Sequence, residues 1–114
     1  MTTSERAELE DQDLLRRMAQ KDAGALEAFY DRYYRVAFAL VLRIVKVRQD
    51  AEDVLAEVFW QVWRQAERYA PSRGKPLAWL LTIARTRALD SLRASNRRES
   101  PGPNPDETEE TSSA

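Results

Sequence analysis

The feature that most constrains the fold is the scarcity of strand signals. The chain has only three glycines in 114 residues, and no stretch alternates apolar with polar residues as a half-buried strand does. Its apolar residues recur at the three- and four-residue spacing of helices. The sequence therefore predicts an all-α protein, a compact bundle of about four helices.

Local signals give the helix boundaries. The predicted helices cover about residues 11–20, 23–46, 50–69 and 76–96. Asp22 and Asp50 are placed as N-caps, because a carboxylate accepts the unpaired amide hydrogens of a first turn. Pro76 suits the first position of a helix and follows a Pro- and Gly-containing loop, residues 70–75.

The two ends of the chain fall outside this helical pattern. Residues 1–10 are expected to be flexible, and residues 11–98 to form the helical domain. The last stretch, 99–114, holds Pro, Ser, Thr and acidic residues without a large apolar side chain, a composition typical of disorder. We expect it to be an acidic linker or tail.

The composition excludes much chemistry. With neither His nor Cys, the chain lacks the commonest general base, a thiolate nucleophile and the usual zinc or haem ligands. The acids at the start of the third helix are typical of a helix dipole or a solvated face rather than a metal site. We expect no enzyme activity, no metal and no cofactor.

No part of the sequence resembles a signal peptide or a membrane span. The longest apolar run, residues 36–42, is far shorter than the roughly 20 residues that cross a bilayer. We expect neither export nor membrane insertion, and a cytoplasmic location.

Charge is unevenly distributed along the chain. Residues 64–98 carry nine basic and two acidic side chains, a net charge of +7, whereas residues 99–114 carry five acidic side chains and no basic one. Such asymmetry indicates a nucleic-acid or other anionic partner for one face. The alternative is an arginine-rich helix that is merely solvated.

The third predicted helix has two unlike faces. At 100° per residue its core stripe consists of Val54, Leu55, Val58, Phe59, Val62, Ala66 and Tyr69. The other side carries Asp53, Ala56, Glu57, Trp60, Trp63 and Arg64. Because Trp and Arg dominate protein interfaces, this side favours docking to a protein partner. The alternative is a wide core that encloses both rings.

The fourth predicted helix separates in the same way. Its apolar side consists of Leu77, Leu80, Leu81, Ala84, Ala88 and Leu92. Its polar side holds Trp79, Thr82, Thr86, Asp90, Arg93 and Arg97, and the preceding loop adds Ser72, Arg73 and Lys75. An aromatic ring among hydroxyls and guanidinium groups is suited to stack on a base while the cations neutralise phosphates. The alternative is that Trp79 packs on another helix; Tyr69 fits either the core or this site.

Two segments carry a family resemblance, DAEDVLAEVFWQVWR at residues 50–64 and PLAWLLTIARTRALDSLR at residues 76–93. From about residue 13 to residue 98 the chain resembles region 2 of bacterial extracytoplasmic-function (group IV) sigma factors. The resemblance implies a subunit that gives RNA polymerase its promoter specificity.

The resemblance implies a role for each face. The third helix would dock on the coiled coil of the polymerase beta-prime subunit through Asp53, Glu57, Trp60, Trp63 and Arg64, with Ala56 beside them. The fourth helix and its loop would melt the promoter −10 element and hold non-template bases. The residues concerned are Ser72, Arg73, Lys75, Trp79, Thr82, Arg85 and Thr86, with Arg93 and Arg97 on the same cationic helix. An anti-sigma factor covering these surfaces is also implied.

Three departures from the family pattern qualify this expectation. Ala56 stands where the family usually has Gln, a difference that bears on polymerase binding. Thr86 stands where the family usually has Asn, a difference that bears on base preference. Family members continue into a region 4 that reads the −35 element, so we expect this chain to be a fragment or an excised domain; the alternative is a natural short protein without −35 recognition. The alternatives are a helical protein-interaction module without nucleic-acid binding and, more remotely, a binder of double-stranded DNA.

Overall fold

The computed structural model describes residues 1–99, which form four α-helices. They are α1 (Thr3–Ala19), α2 (Ala23–Val45), α3 (Arg48–Gln65) and α4 (Pro76–Glu99), and two 3-10 turns, Ala66–Arg68 and Pro71–Arg73, join α3 to α4. No strand occurs within this described part. The predicted all-α fold of about four helices is confirmed. Of the predicted tail, residues 99–114, Glu99 is the last residue of α4 and not part of a tail; the rest of that prediction lies outside the described residues.

The first helix begins at Thr3, so the predictions of a start near residue 11 and of a flexible segment 1–10 are wrong. Thr2 and Glu5 form a capping box, in which the Thr2 side chain accepts from the Glu5 N–H. The Glu5 carboxylate in turn accepts from the Thr2 N–H at 2.8 Å. Two amide donors of the first turn are thereby satisfied, which stabilises an early helix start.

The start of α2 agrees with the prediction, whereas the turn between α2 and α3 differs from it. Asp22 caps α2 as predicted, since its side chain accepts from the Gly24 N–H. At the other end Lys46 adopts a left-handed conformation (φ 67°) and donates its N–H to the Leu42 carbonyl. This tight turn brings the chain directly into α3, whose N-cap is Val47. Asp50 therefore lies in the first turn and is not the cap. Its negative charge is stabilised there by the helix dipole.

The core lies around α2, which contacts each of the other three helices. Phe29, Ala37 and Val41 of α2 are fully buried. The predicted α3 stripe is buried from Val54 to Ala66, while Tyr69 follows the helix end and is half-buried. On α4 Leu80, Ala84, Ala88 and also Ile83 are buried, whereas Leu77, Leu81 and Leu92 are half-buried.

One buried carboxylate fastens α1 to α2. Asp11 is 2% exposed, accepts from an Arg32 guanidinium nitrogen at 2.6 Å, and also accepts from the Tyr33 hydroxyl. Arg32 makes a second bond to Glu10. The carboxylate thus has the partners that a buried charge requires, and the α1–α2 arrangement depends on them.

Candidate functional site

One candidate surface is the α3 ridge, defined as Asp53, Ala56, Glu57, Trp60, Trp63 and Arg64. All of these residues except Trp63 are exposed. Trp60 is 58% exposed, and the Arg64 guanidinium carbon lies 5.8 Å from the centroid of its ring. This is a cation–π distance, so the two side chains form one aromatic and cationic feature on the surface.

Trp63 lies differently from Trp60. Its ring is half-buried and packs against the core, and the Lys21 ammonium group lies 5.2 Å from its centroid. The alternative in which the core encloses both rings therefore holds in part for Trp63 and does not hold for Trp60. Trp60 is the member of the ridge that offers most aromatic surface to a partner.

The ridge is joined to α4 by an arginine that the sequence analysis did not single out. Arg87 donates to the Gln61 side-chain oxygen at 2.5 Å and to a Glu57 carboxylate oxygen at 2.9 Å. Glu57 is thus already occupied by an ion pair, although it is exposed. No spacing along the chain signals this contact, because the partners are on different helices.

The second candidate surface is formed by α4 and the loop before it. Its exposed members are Ser72, Arg73, Lys75, Thr82, Arg85, Thr86, Arg93 and Arg97. Arg93 pairs with the exposed Asp90 at 2.6 Å, an interaction that solvent weakens. The Thr82 hydroxyl donates to the Ala78 carbonyl at 2.9 Å, so its oxygen remains available as an acceptor. We call this set, together with Trp79, the α4 surface.

Trp79 is half-buried and is not a freely projecting ring. It packs against the core, and its ring centroid lies 5.5 Å from that of Tyr69 at an interplanar angle of 53°. The alternative of packing therefore holds for part of the ring. Tyr69, which the sequence left between core and site, contacts Trp79 and lies beside the loop.

Other kinds of site have little support in the described residues. Among residues 1–99 no group of three or more acidic, His or Cys side chains is arranged to hold a metal ion. None of the helices formed by these residues is long and apolar enough to cross a membrane. We therefore treat the α3 ridge and the α4 surface as the candidate binding surfaces.

Comparison with known proteins identifies the family. Residues 29–98, more than half of the chain, match the family described as Sigma-70 region 2. A protein of Mycolicibacterium vanbaalenii named ECF RNA polymerase sigma factor SigK is 43% identical over 81 residues, which are 71% of this chain and 41% of that protein. The protein of the same name from Mycobacterium sp. (strain KMS) is 40% identical over 90 residues, 76% of this chain and 47% of the relative.

The corresponding protein of Mycobacterium tuberculosis (strain H37Ra) is 39% identical over 89 residues, 75% of this chain and 48% of the relative. The chain thus spans less than half the length of these relatives. Sigma factors are not enzymes, in agreement with the expectation from composition. On the family match and these identities, the chain belongs to the sigma-70 region 2 family and is a region 2 domain of the extracytoplasmic-function (ECF) type.

Proposed function

We propose that this domain brings RNA polymerase to promoters by binding two partners at once. The α3 ridge binds core RNA polymerase at the beta-prime coiled coil, and the α4 surface binds the non-template strand of the promoter −10 element. The observation that carries the proposal is the pairing, on adjacent helices, of an exposed Trp–Arg ridge with a separate cationic surface, in a chain of this family.

The α3 ridge has the properties of a protein-docking surface. When a partner covers Trp60, a large rigid ring leaves water at little cost in conformational entropy. Arg64 lies over that ring. Charged residues surround this pair, as at the rim of many interfaces. Ala56 offers a methyl group where the family usually has Gln, so docking here relies on packing rather than on a hydrogen bond at this position.

The α4 surface has the properties of a single-strand binding surface. Arg73, Lys75, Arg85, Arg93 and Arg97 are exposed and are positioned to neutralise phosphates. Base stacking on an aromatic ring is worth roughly 1–3 kcal/mol per base, and Trp79 offers the exposed part of its ring. These contacts offset the few kcal/mol that a base costs on leaving the duplex. Thr86 stands where the family usually has Asn, a difference that bears on the base preference of this surface.

The remaining expectations follow from this role. The domain consists of the predicted residues 11–98 extended by the earlier part of α1 and by Glu99, the last residue of α4, and the acidic residues that follow serve as a linker or tail. Such an activity takes place on chromosomal DNA in the cytoplasm. An anti-sigma factor that covers Trp60 and the α4 surface would hold the domain inactive.

The test is a fluorescence-anisotropy titration with labelled non-template −10 strands and matched duplexes, with and without core RNA polymerase. We expect selective single-strand binding that requires polymerase. Trp79→Ala should reduce strand binding, and Trp60→Ala should reduce polymerase binding, whereas Leu9→Ala, at an exposed apolar residue of α1, should change neither. Failure to bind polymerase would refute the proposal and favour an interaction module with another partner.

A further inference from the structure

Tyr69 joins the loop of the α4 surface to the helix that follows it. Its hydroxyl donates to the Gly74 carbonyl oxygen at 2.5 Å, and its ring lies against that of Trp79, with centroids 5.5 Å apart. A single side chain thus touches both the end of the loop and the first turns of α4. In the described part of the chain it is the one side chain that hydrogen-bonds to the backbone of residues 70–75.

The loop itself is short and closely turned. The Arg73 N–H donates to the Ala70 carbonyl at 2.8 Å, and the Gly74 N–H donates to the Pro71 carbonyl at 3.2 Å. Gly74 has φ 114°, a backbone conformation that L side chains rarely adopt. Gly74 therefore sets the direction in which the chain leaves the turn, and the Tyr69 hydroxyl holds the carbonyl of that same residue.

We infer that Tyr69 is a positioning residue for nucleic-acid recognition: through the Gly74 carbonyl it fixes where Ser72, Arg73 and Lys75 stand relative to Trp79. The inference rests on the proposed function of the α4 surface. Polar side chains on an unbraced loop lose conformational freedom when a ligand orders them, and bracing the loop beforehand reduces that loss. Tyr69 also limits the orientations open to the Trp79 ring.

The protonation state of Tyr69 suits this role. Burial raises the pKa of the Tyr69 hydroxyl above its ordinary value, so the group stays a hydrogen-bond donor to a higher pH than a free tyrosine does. A tyrosine that only filled space beside the core would need its ring and not its hydroxyl. The two roles therefore make different predictions for Tyr69→Phe.

The experiment measures binding of a labelled −10 single strand to the polymerase complex of each variant. Tyr69→Phe keeps the ring against Trp79 and removes one hydrogen bond, and we expect strand affinity to fall about five- to tenfold. Polymerase affinity should not change, since α3 is untouched. Tyr30→Phe, at an exposed tyrosine of α2, is the matched control and should leave strand affinity unchanged.

A second variant alters the same loop without touching Tyr69. A Cβ added at Gly74 would meet no atom within 4 Å, so Gly74→Ala acts through its backbone conformation and not through a clash. We expect it to reduce strand affinity while leaving polymerase affinity intact. If Gly74→Ala has no effect on strand affinity, the loop geometry does not matter and the inference is overturned.

Double-mutant cycles separate positioning from general destabilisation. If Tyr69 acts through the loop, Tyr69→Phe and Lys75→Ala are non-additive in strand affinity, whereas Tyr69→Phe and Arg97→Ala add. Additivity with both, or an unchanged affinity in Tyr69→Phe, would overturn the inference and leave the proposed function intact. Absence of strand binding by the unmodified chain with polymerase would instead refute the proposed function.

Discussion

Salt dependence gives a quantitative prediction about the α4 surface. The exposed cations assigned to this surface are Arg73, Lys75, Arg85, Arg93 and Arg97. Each phosphate that a cation neutralises releases counterions, and for a single strand the logarithm of the binding constant falls with the logarithm of salt concentration by roughly 0.7 per contact. With all five engaged, the domain's contribution to this slope is about −3.5.

This slope corresponds to a large change in affinity. Between about 50 and 200 mM salt, a contribution of −3.5 weakens strand binding roughly 100-fold. Replacing one contacting cation, as in Arg97→Ala, should make the slope shallower by about 0.7. Arg93 needs to exchange its exposed Asp90 partner for a phosphate, which costs little because solvent screens that pair.

The assay compares each variant with the unmodified domain in the polymerase complex at several salt concentrations, so that contacts made by polymerase cancel. Arg16→Ala, at an exposed arginine of α1, is the matched control and should leave the slope unchanged. If Arg97→Ala and Arg85→Ala both leave the slope at the unmodified value, the cations of α4 do not meet the nucleic-acid backbone and the reasoning is refuted.

Three further predictions concern the forces that hold the domain together. Asp11→Ala removes the buried partner of Arg32 and leaves the Tyr33 hydroxyl without its acceptor. Because Arg32 is partly exposed and keeps its ion pair with Glu10, the free energy of unfolding should fall by about 2 kcal/mol, measured by urea denaturation. A loss below about 1 kcal/mol would contradict this account. Burial, followed by the Asp11 hydrogen bond, raises the pKa of Tyr33 to about 12, above its value in the unfolded chain. Its contribution to stability is therefore complete below about pH 10 and declines as the pH rises toward 12, and Tyr33→Phe should flatten that part of the pH–stability curve. Arg87→Ala removes the bonds to Glu57 and Gln61. It should lower the free energy of unfolding by only about 1 kcal/mol, because Glu57 is exposed and solvent weakens its ion pair. An unchanged thermal unfolding temperature would argue against a bridge between α3 and α4.

The helices and the core were predictable where local signals decide them. The Asp22 cap and the apolar spacing from Val54 to Ala66 are properties of the sequence itself, and both agree with the structure. The start of α1 was predictable in principle, since Thr2 and Glu5 have the spacing of a capping box. The start of α3 was not, because it depends on Lys46 in a left-handed conformation, which the identity of a lysine does not signal.

The candidate surfaces were predictable only in part. Trp60 stands off the core stripe by helical spacing alone, so its exposure follows from the sequence. The contact of Tyr69 with Trp79 and the bonds of Arg87 to α3 depend on how two helices and a loop pack together. Such contacts carry no periodic signal, which is why Arg87 was missed and Tyr69 was left undecided.

The most direct test of the central claim is site-specific photo-crosslinking in a complex of this domain, core RNA polymerase and a −10 single strand. A benzophenone amino acid replaces Trp60 in one sample and Trp79 in another. The account predicts that the probe at position 60 crosslinks to the beta-prime subunit and the probe at position 79 to the DNA strand. Crosslinking of both positions to polymerase, with none to DNA, would contradict the assignment of two separate surfaces.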